Sequence, residues 1–301
     1  MSEVAPMTDL QRMHHRSSSS HTLKTGLSMI LLVVMAMYFL LPLYWLIVSS
    51  TKSTTELFTM PILEFPAHLN VFQNLKQLDT YQGGVYWRWF LNSMIYAGVS
   101  SILGTLISAA AGYAISRYTF RFQGVILRTI VAGLAIPLAA LTIPIFLVLR
   151  DLGLINTYAG VILPMMINPF GAYFMSVYIR DAMPGELVDS GRVDGAGEFR
   201  IFWKIAVPII RPGLVTLFLI IFIAVWNNFF LPLVIINNPN LFPITLGLNL
   251  LISNLHTAGA GTPMYEMIML GSVISVLPMI ILFPWLRRYI TTGIALGSVK
   301  S

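Results

Sequence analysis

The chain has 301 residues, of which 56% are apolar and 10% charged, with a formal net charge of +6 and no cysteine. Soluble domains carry about 25% charged residues, so this chain lacks the polar surface to cover itself in water. The missing cysteine excludes a disulfide framework, a thiolate nucleophile and any Cys-based zinc site.

Residues 1–24 are polar, include the run Ser17–Ser20, and read as a disordered cytoplasmic tail. After them come uncharged stretches long enough to cross hydrocarbon as helices. They cover Thr25–Thr51, Phe90–Ser116, Thr129–Leu149, Leu152–Ile179, Pro212–Tyr265 and Met267–Leu286. One Lys or Arg at a helix centre costs roughly 2.5 to 3.5 kcal/mol on insertion, so this many uncharged runs are not accidental. We place spans at about residues 26–50, 91–115, 128–149, 158–180, 212–235 and 266–286. The expected fold class is an all-α integral membrane protein of about six transmembrane helices, with its membrane domain over residues 25–300. The first run comes after Arg12, Arg16 and Lys24 as in a signal peptide. It is too long for a signal h-region and has no A-x-A pattern behind it, so it is read as a retained span.

Basic residues orient the spans. With the amino terminus inside, the inner segments hold Arg12, Arg16, Lys24, Arg117, Arg121, Arg128, Arg180, Arg192, Arg200, Lys204, Arg211, Arg287, Arg288 and Lys300. The outer segments hold only Lys52, Lys76, Arg88 and Arg150. Both termini are therefore expected in the cytoplasm. The basic charge needs no nucleic-acid partner, and membrane lipid is the expected surround. Outer segments are expected at 51–89 and 237–265, and the largest inner loop at 181–210.

Several spans are interrupted: the third by Pro137 and Pro144, the fourth by Pro164, Pro169 and Gly171, the fifth near Pro232. Proline frees a backbone carbonyl that must find a partner within the bilayer. Broken helices persist where they meet other protein or line a wet cavity, which favours a transport path over a simple anchor. Asn92, Asn168, Asn227 and Asn228 lie in or beside apolar runs. Each either bonds between helices or faces a hydrated pore. Trp226-Asn227-Asn228-Phe229 joins amides to aromatic faces, a chemistry that suits a hydroxyl-rich solute such as a sugar.

His14, His15, His21, His68 and His256 all fall outside the spans. A proton relay needs ionisable groups at depth, so a proton-coupled transporter is disfavoured. There is no H-E-x-x-H, no G-x-S-x-G, and no Lys directly after a Gly. Hence no catalytic or metal site is assigned, and no loop cradles ATP. An embedded enzyme or a scaffold without transport is the competing reading, and a scaffold has no need of interrupted spans.

The stretch Met183–Pro208 reads as helix, turn, helix. Pro184 opens the first helix with Glu186 in its first turn. Asp194-Gly195 is a turn signal, with Gly195 free to take a positive φ. Phe199, Phe202 and Trp203 then recur at helical spacing before an end expected toward Pro208. The unit can lie on the membrane interface or dock into another protein's groove. Five basic and five acidic residues between Arg180 and Arg211 suit a protein partner better than an anionic lipid surface.

This loop resembles the cytoplasmic "EAA" loop of ABC importer permeases, roughly E-A-A-x-x-D-G-A, then an aromatic-rich helix and L-P. Further pieces of the resemblance are Ser50-Thr51-Lys52, Asn92-Ser93, Ala111-Gly112-Tyr113-Ala114, Leu152–Thr157, Pro169-Phe170-Gly171, Trp226-Asn227-Asn228, and the tail from Arg288 to Lys300. Together they point to the carbohydrate-uptake branch, similar to the smaller maltose permease, and imply the type I importer permease fold. The resemblance places Asp189, Ser190 and Gly191 at E-A-A, and Asp194, Gly195 and Ala196 at D-G-A. It makes Glu186, Asp189, Ser190, Gly191, Asp194, Gly195, Ala196, Phe199 and Arg200 an ATPase-coupling loop. The polar and aromatic residues within the spans give the candidate translocation path: Asn92, Asn168, Trp226, Asn227 and Asn228. Binding-protein contacts are implied at Asn254, His256, Thr257, Gly259 and Gly261. The implied partners are a second permease subunit forming a heterodimer, two copies of an ATPase that binds ATP and Mg, and an extracytoplasmic solute-binding protein, all at a bacterial or archaeal inner membrane. The expected cargo is a sugar or oligosaccharide, the alternative a solute such as a glycerol-phosphate compound.

Overall fold

The computed structural model describes residues 8–255 and 264–298, with side chains over 25–255 and 265–284. Every regular element among them is helical: α1 (Thr8–Ser50), α2 (Thr54–Thr59), α3 (Val71–Thr80), α4 (Val85–Arg117), α5 (Gln123–Leu134), α6 (Thr142–Asp151), α7 (Tyr158–Met166), α8 (Pro169–Ala182), α9 (Gly185–Val193), α10 (Glu198–Ile201), α11 (Val207–Trp226), α12 (Phe230–Ile235), α13 (Ile244–Leu255) and α14 (Met264–Ser298). Five apolar helices among the described residues are long enough to cross a bilayer, and α5 with α6 make a sixth if that bent pair is one span.

The bundle is organised around α4, which has 33 residues and is about 50 Å long at 1.5 Å per residue. One stripe of α4 is small: Ser101, Gly104, Thr105, Ser108, Ala109 and Gly112 are all buried. Small side chains let helix backbones approach closely where lipid supplies no hydrophobic drive. A Cβ on Gly112 would lie 2.6 Å from Met175 Cβ, and one on Gly171 would lie 2.4 Å from Ser108 Oγ. These glycines set the α4–α8 distance. By contrast α1 packs on α14 along its flank and leaves Leu27–Phe39 exposed, a surface suited to lipid.

The three spans expected to be interrupted do break, although Pro164 lies inside α7 and does not end it. The third span turns by 100° between Leu134 and Leu138, because Pro137 sits in extended backbone (φ −61°, ψ 128°) and cannot continue the helix. Pro144 falls in the first turn of α6 and does no harm. The fourth span is two helices, with Asn168 capping α8 and Pro169 in its first turn. The fifth ends at Trp226 rather than near Pro232, and the short α12 lies beyond the Asn227-Asn228 break.

Two boundaries are corrected. The helix after the Asp194-Gly195 turn does not end toward Pro208. It runs from Glu198 to Trp226 through a π turn at Phe202–Ala206, where the Val207 N–H bonds Phe202 O. The i→i+5 step displaces the carbonyl that the Pro208 ring would otherwise meet. The segment expected as an outer loop at 237–265 contains α13, whose Ile244, Leu246, Gly247 and Leu251 are buried. Gly247 seats on Trp89 so closely that a Cβ would lie 2.1 Å from its ring.

Candidate functional site

Helix α9 closes with the N–H of Ala196 bonded to Gly191 O at 2.9 Å and that of Gly195 bonded to Arg192 O at 3.0 Å. This is a Schellman turn, and Gly195 occupies its left-handed position at φ +76°. The inner face of α9 is Val188 and Gly191, both buried. A Cβ on Gly191 would lie 3.1 Å from Ile205 and 3.2 Å from Ile201. Glycine here is a packing choice that lets α9 lie on the start of the fifth-span helix, which offsets its low helix propensity.

The opposite face of the unit is open. Glu186, Asp189, Ser190, Asp194, Gly195, Phe199 and Arg200 are exposed, and Ala196 is half-buried. Val193 is 86% exposed and Phe199 78%. The expected aromatic face is split. Phe202 turns inward onto Tyr113 with ring centroids 5.3 Å apart, whereas Phe199 and Trp203 stand 6.1 Å apart outside it. Beneath the unit, Arg117 at the end of α4 donates through Nη2 to Ile179 O and Met183 O, the closing carbonyls of α8. Next to it Tyr118 donates to Glu198 Oε2 at 2.6 Å, and Arg192 Nε donates to Glu198 Oε1 at 2.7 Å. Burial and the Glu198 carboxylate push the Tyr118 hydroxyl up to about 12, so it stays a donor. The hydrogen bond to Glu198 raises Arg192 above its ordinary value.

A separate cavity of about 690 Å³ opens between α5, the bend before α6, the α7–α8 break and α11. Asn168 and Asn228 line it, among Ile136, Pro144, Leu163 and Val225. Asn168 Oδ1 accepts from Gly171 N at 2.8 Å, and Asn228 Oδ1 from Leu231 N at 3.3 Å. Asn168 is therefore the cap of α8 as well as a cavity group, and Asn228 ties its amide oxygen to the first turn of α12. Trp226 does not join them. It is buried and stacks on Phe222 at 5.8 Å and 15°. Asn227 is exposed and bonds back to Ile223 O. Asn92 lies in neither place: it is buried, donates to Asn240 O and Phe242 O, and accepts from Tyr158 Oη at 2.7 Å. Its polar atoms are spent holding the chain between α12 and α13. Asn254 lies in the last turn of α13, while His256, Thr257, Gly259 and Gly261 fall outside the described residues.

Residues 104–295 match the family described as binding-protein-dependent transport system inner membrane component. The chain belongs to that family. This inner membrane component is 34% identical over 260 residues to the arabinooligosaccharides transport system permease protein AraQ of Halalkalibacterium halodurans, across 86% of this chain and 90% of the relative. It is 31% identical to the lactose transport system permease protein LacG of Rhizobium radiobacter across the same shares. A chain from the crystal structure of a bacterial ABC transporter involved in import of the acidic polysaccharide alginate superposes with a TM-score of 0.79, at 23% identity, over 90% of this chain and 97% of that one. The fold is thus that of ABC importer permeases, a multi-pass membrane protein.

Sequence reasoning puts no role on Tyr118 or on the Arg192–Glu198 contact in this permease. The Asp189–Arg192 spacing is legible as an i,i+3 pair. The approach of α4 to α10, eighty residues apart in the chain, leaves no local signal.

Proposed function

We propose that the permease forms half of the translocation pore of an ATP-driven importer for a sugar or oligosaccharide. The observation that carries this reading is the α9–turn–α10 unit. Its inner face is fixed to the fifth-span helix through Val188, Gly191 and Ile201, and its outer face exposes Val193 and Phe199. Exposed apolar side chains on a short, tightly turned unit suit a groove in a protein partner. The partner is an ATPase, which binds ATP and Mg and contacts Glu186, Asp189, Ser190, Asp194, Gly195, Ala196, Phe199 and Arg200. Cationic residues on the α9 side of the bundle support a cytoplasmic position for that side and for both termini.

The carbohydrate reading draws on the relatives named for the transport of arabinooligosaccharides and of lactose. The cavity agrees with it over the glycerol-phosphate alternative. No Lys or Arg is among its lining residues to pair a phosphate. Asn168 and Asn228 are the amides that face the passing solute, and the wall around them is apolar. Asn227 meets the second permease subunit, which completes the pore as a heterodimer. The solute-binding protein delivers the solute at the face opposite α9, near Asn254. Closure of the ATPase pair moves the coupling units and turns the pore from inward-facing to outward-facing.

The test is purification and reconstitution of the tagged chain with its partners. An associated ATPase whose hydrolysis rises when the liganded binding protein is added is the expected result. A chain that inserts but never copurifies with an ATPase would sink the reading.

A further inference from the structure

Glu198 begins α10, the first turn of the helix that continues as the fifth span. Its two carboxylate oxygens are used by different elements. Oε1 takes the Arg192 guanidinium of α9, and Oε2 takes the hydroxyl of Tyr118, the residue that ends α4. Arg192 also holds Asp189 at 3.2 Å and lies over the Tyr118 ring at 5.9 Å. The Tyr118 ring meets Tyr113, and Tyr113 meets Phe202 in the π turn, at 5.9 and 5.3 Å. Arg117 extends the connection to the end of α8. One carboxylate therefore joins the unit that faces the partner to two membrane helices.

We propose that Glu198 is a positioning residue that transmits movement of α9 to α4 and α11 together. The inference rests on the reading of this loop as the coupling element. Arg192 and Glu198 side chains are 40% and 45% exposed. Pairs this exposed add little to stability, so the fold does not depend on them. Their geometry is nevertheless specific: charge-assisted contacts of 2.7 and 2.6 Å converge on one group. Packing of Val188 and Gly191 on Ile201 and Ile205 ties α9 to the fifth-span helix. The Glu198 bridge adds a tie from α9 to the end of α4, so a push on α9 becomes a displacement of both spans. The ion pair Arg150–Asp151 is the contrast, since it joins sequence neighbours and connects no second element.

The experiment uses the complete complex in proteoliposomes and reads ATP hydrolysed per solute taken up. A structural role changes the amount of complex and leaves that ratio alone. Glu198→Gln is expected to raise the ratio roughly fivefold, and Tyr118→Phe to raise it less. An unchanged ratio in Glu198→Gln overturns the inference even if less complex forms. A wild-type complex with no solute-dependent hydrolysis instead overturns the coupling reading itself. A second measurement needs no solute. The chain contains no cysteine, so Val193→Cys with Phe122→Cys gives a unique spin-label pair between α9 and the segment after α4. A narrow distance distribution that broadens in Glu198→Gln is expected, and the same narrow distribution in both overturns the proposal.

Discussion

At the end of the bundle opposite α9, Lys52 is 1% exposed and donates to Pro61 O at 2.7 Å, and buried Asn74 donates to Ser50 O and Lys52 O. There α4 reaches the 239–244 backbone through four side chains. Trp89 Nε1 bonds Pro239 O, Asn92 bonds Asn240 O and Phe242 O, Tyr96 Oη bonds Leu241 O, and Ser93 Oγ accepts from Ile244 N. At the α9 end Arg192 and Glu198 are exposed and Tyr118 is half-buried, and the bonds around Glu198 run side chain to side chain. The first arrangement staples a loop to a helix. Backbone carbonyls are fixed, and a buried donor that leaves one finds no water to replace it. The second arrangement costs little to strain because solvent stands ready on one side. A rigid end opposite α9 with a yielding but linked α9 end suits the proposed drive of the permease from its α9 side.

That contrast can be broken in four places. The largest effect is expected at Gly195→Pro. Proline needs φ near −65° where the turn has +76°, and the Gly195 N–H bonded to Arg192 O is lost as well. The chain should still insert and copurify with its partners, while stimulation of ATPase by liganded binding protein disappears. Full stimulation would remove the turn from the coupling path. Next is Gly112→Val, which tests the crossing both ends share. Its side chain meets Met175 at well under contact distance, and overpacking of this kind costs roughly 3 kcal/mol. A melting curve in detergent should shift down markedly, and an unshifted one would mean that α4 and α8 are not held this closely.

Asn92→Leu should cost about 2 kcal/mol by leaving the carbonyls of residues 240 and 242 unpaired. Thermal unfolding with transport measured in parallel decides its role. Lost stability makes it a staple, whereas normal melting with altered solute preference makes it part of the path. The smallest effect belongs to Glu56→Gln. Glu56 accepts from Ser53 N and Oγ at 2.8 Å in a capping box and from Asn70 Nδ2 at 2.9 Å. The backbone bond from Ser53 leads in holding its carboxyl below the ordinary carboxylate value. Its contribution is therefore complete above that ordinary value and is lost as pH falls through the lowered one. It is worth about 0.5 kcal/mol at this solvent-screened site. Wild-type and Glu56→Gln melting temperatures should differ slightly at neutral pH and converge in acid. A constant gap would deny the carboxylate any part.

Sequence alone determined the features that local chemistry dictates. Uncharged runs set the membrane class, because charge in hydrocarbon is costly wherever the chain goes. Pro137 and Pro169 marked breaks, since a missing N–H acts on its own few residues. Asp194-Gly195 marked the turn, and its positive φ is a property of glycine. The tertiary structure decided what each polar or aromatic side chain does with that backbone. Asn92 and Asn168 look alike in the sequence, yet one staples a loop and the other caps α8 beside the cavity. Trp226, Asn227 and Asn228 are consecutive, yet they go to the core, the surface and the cavity. Pro208 reads as a stop, but a π turn carries the helix past it. Tyr118 and Glu198 meet only because α4 and the fifth-span helix pack together. Periodicity says nothing about such a meeting, since its cause lies in how distant helices pack and not in either neighbourhood.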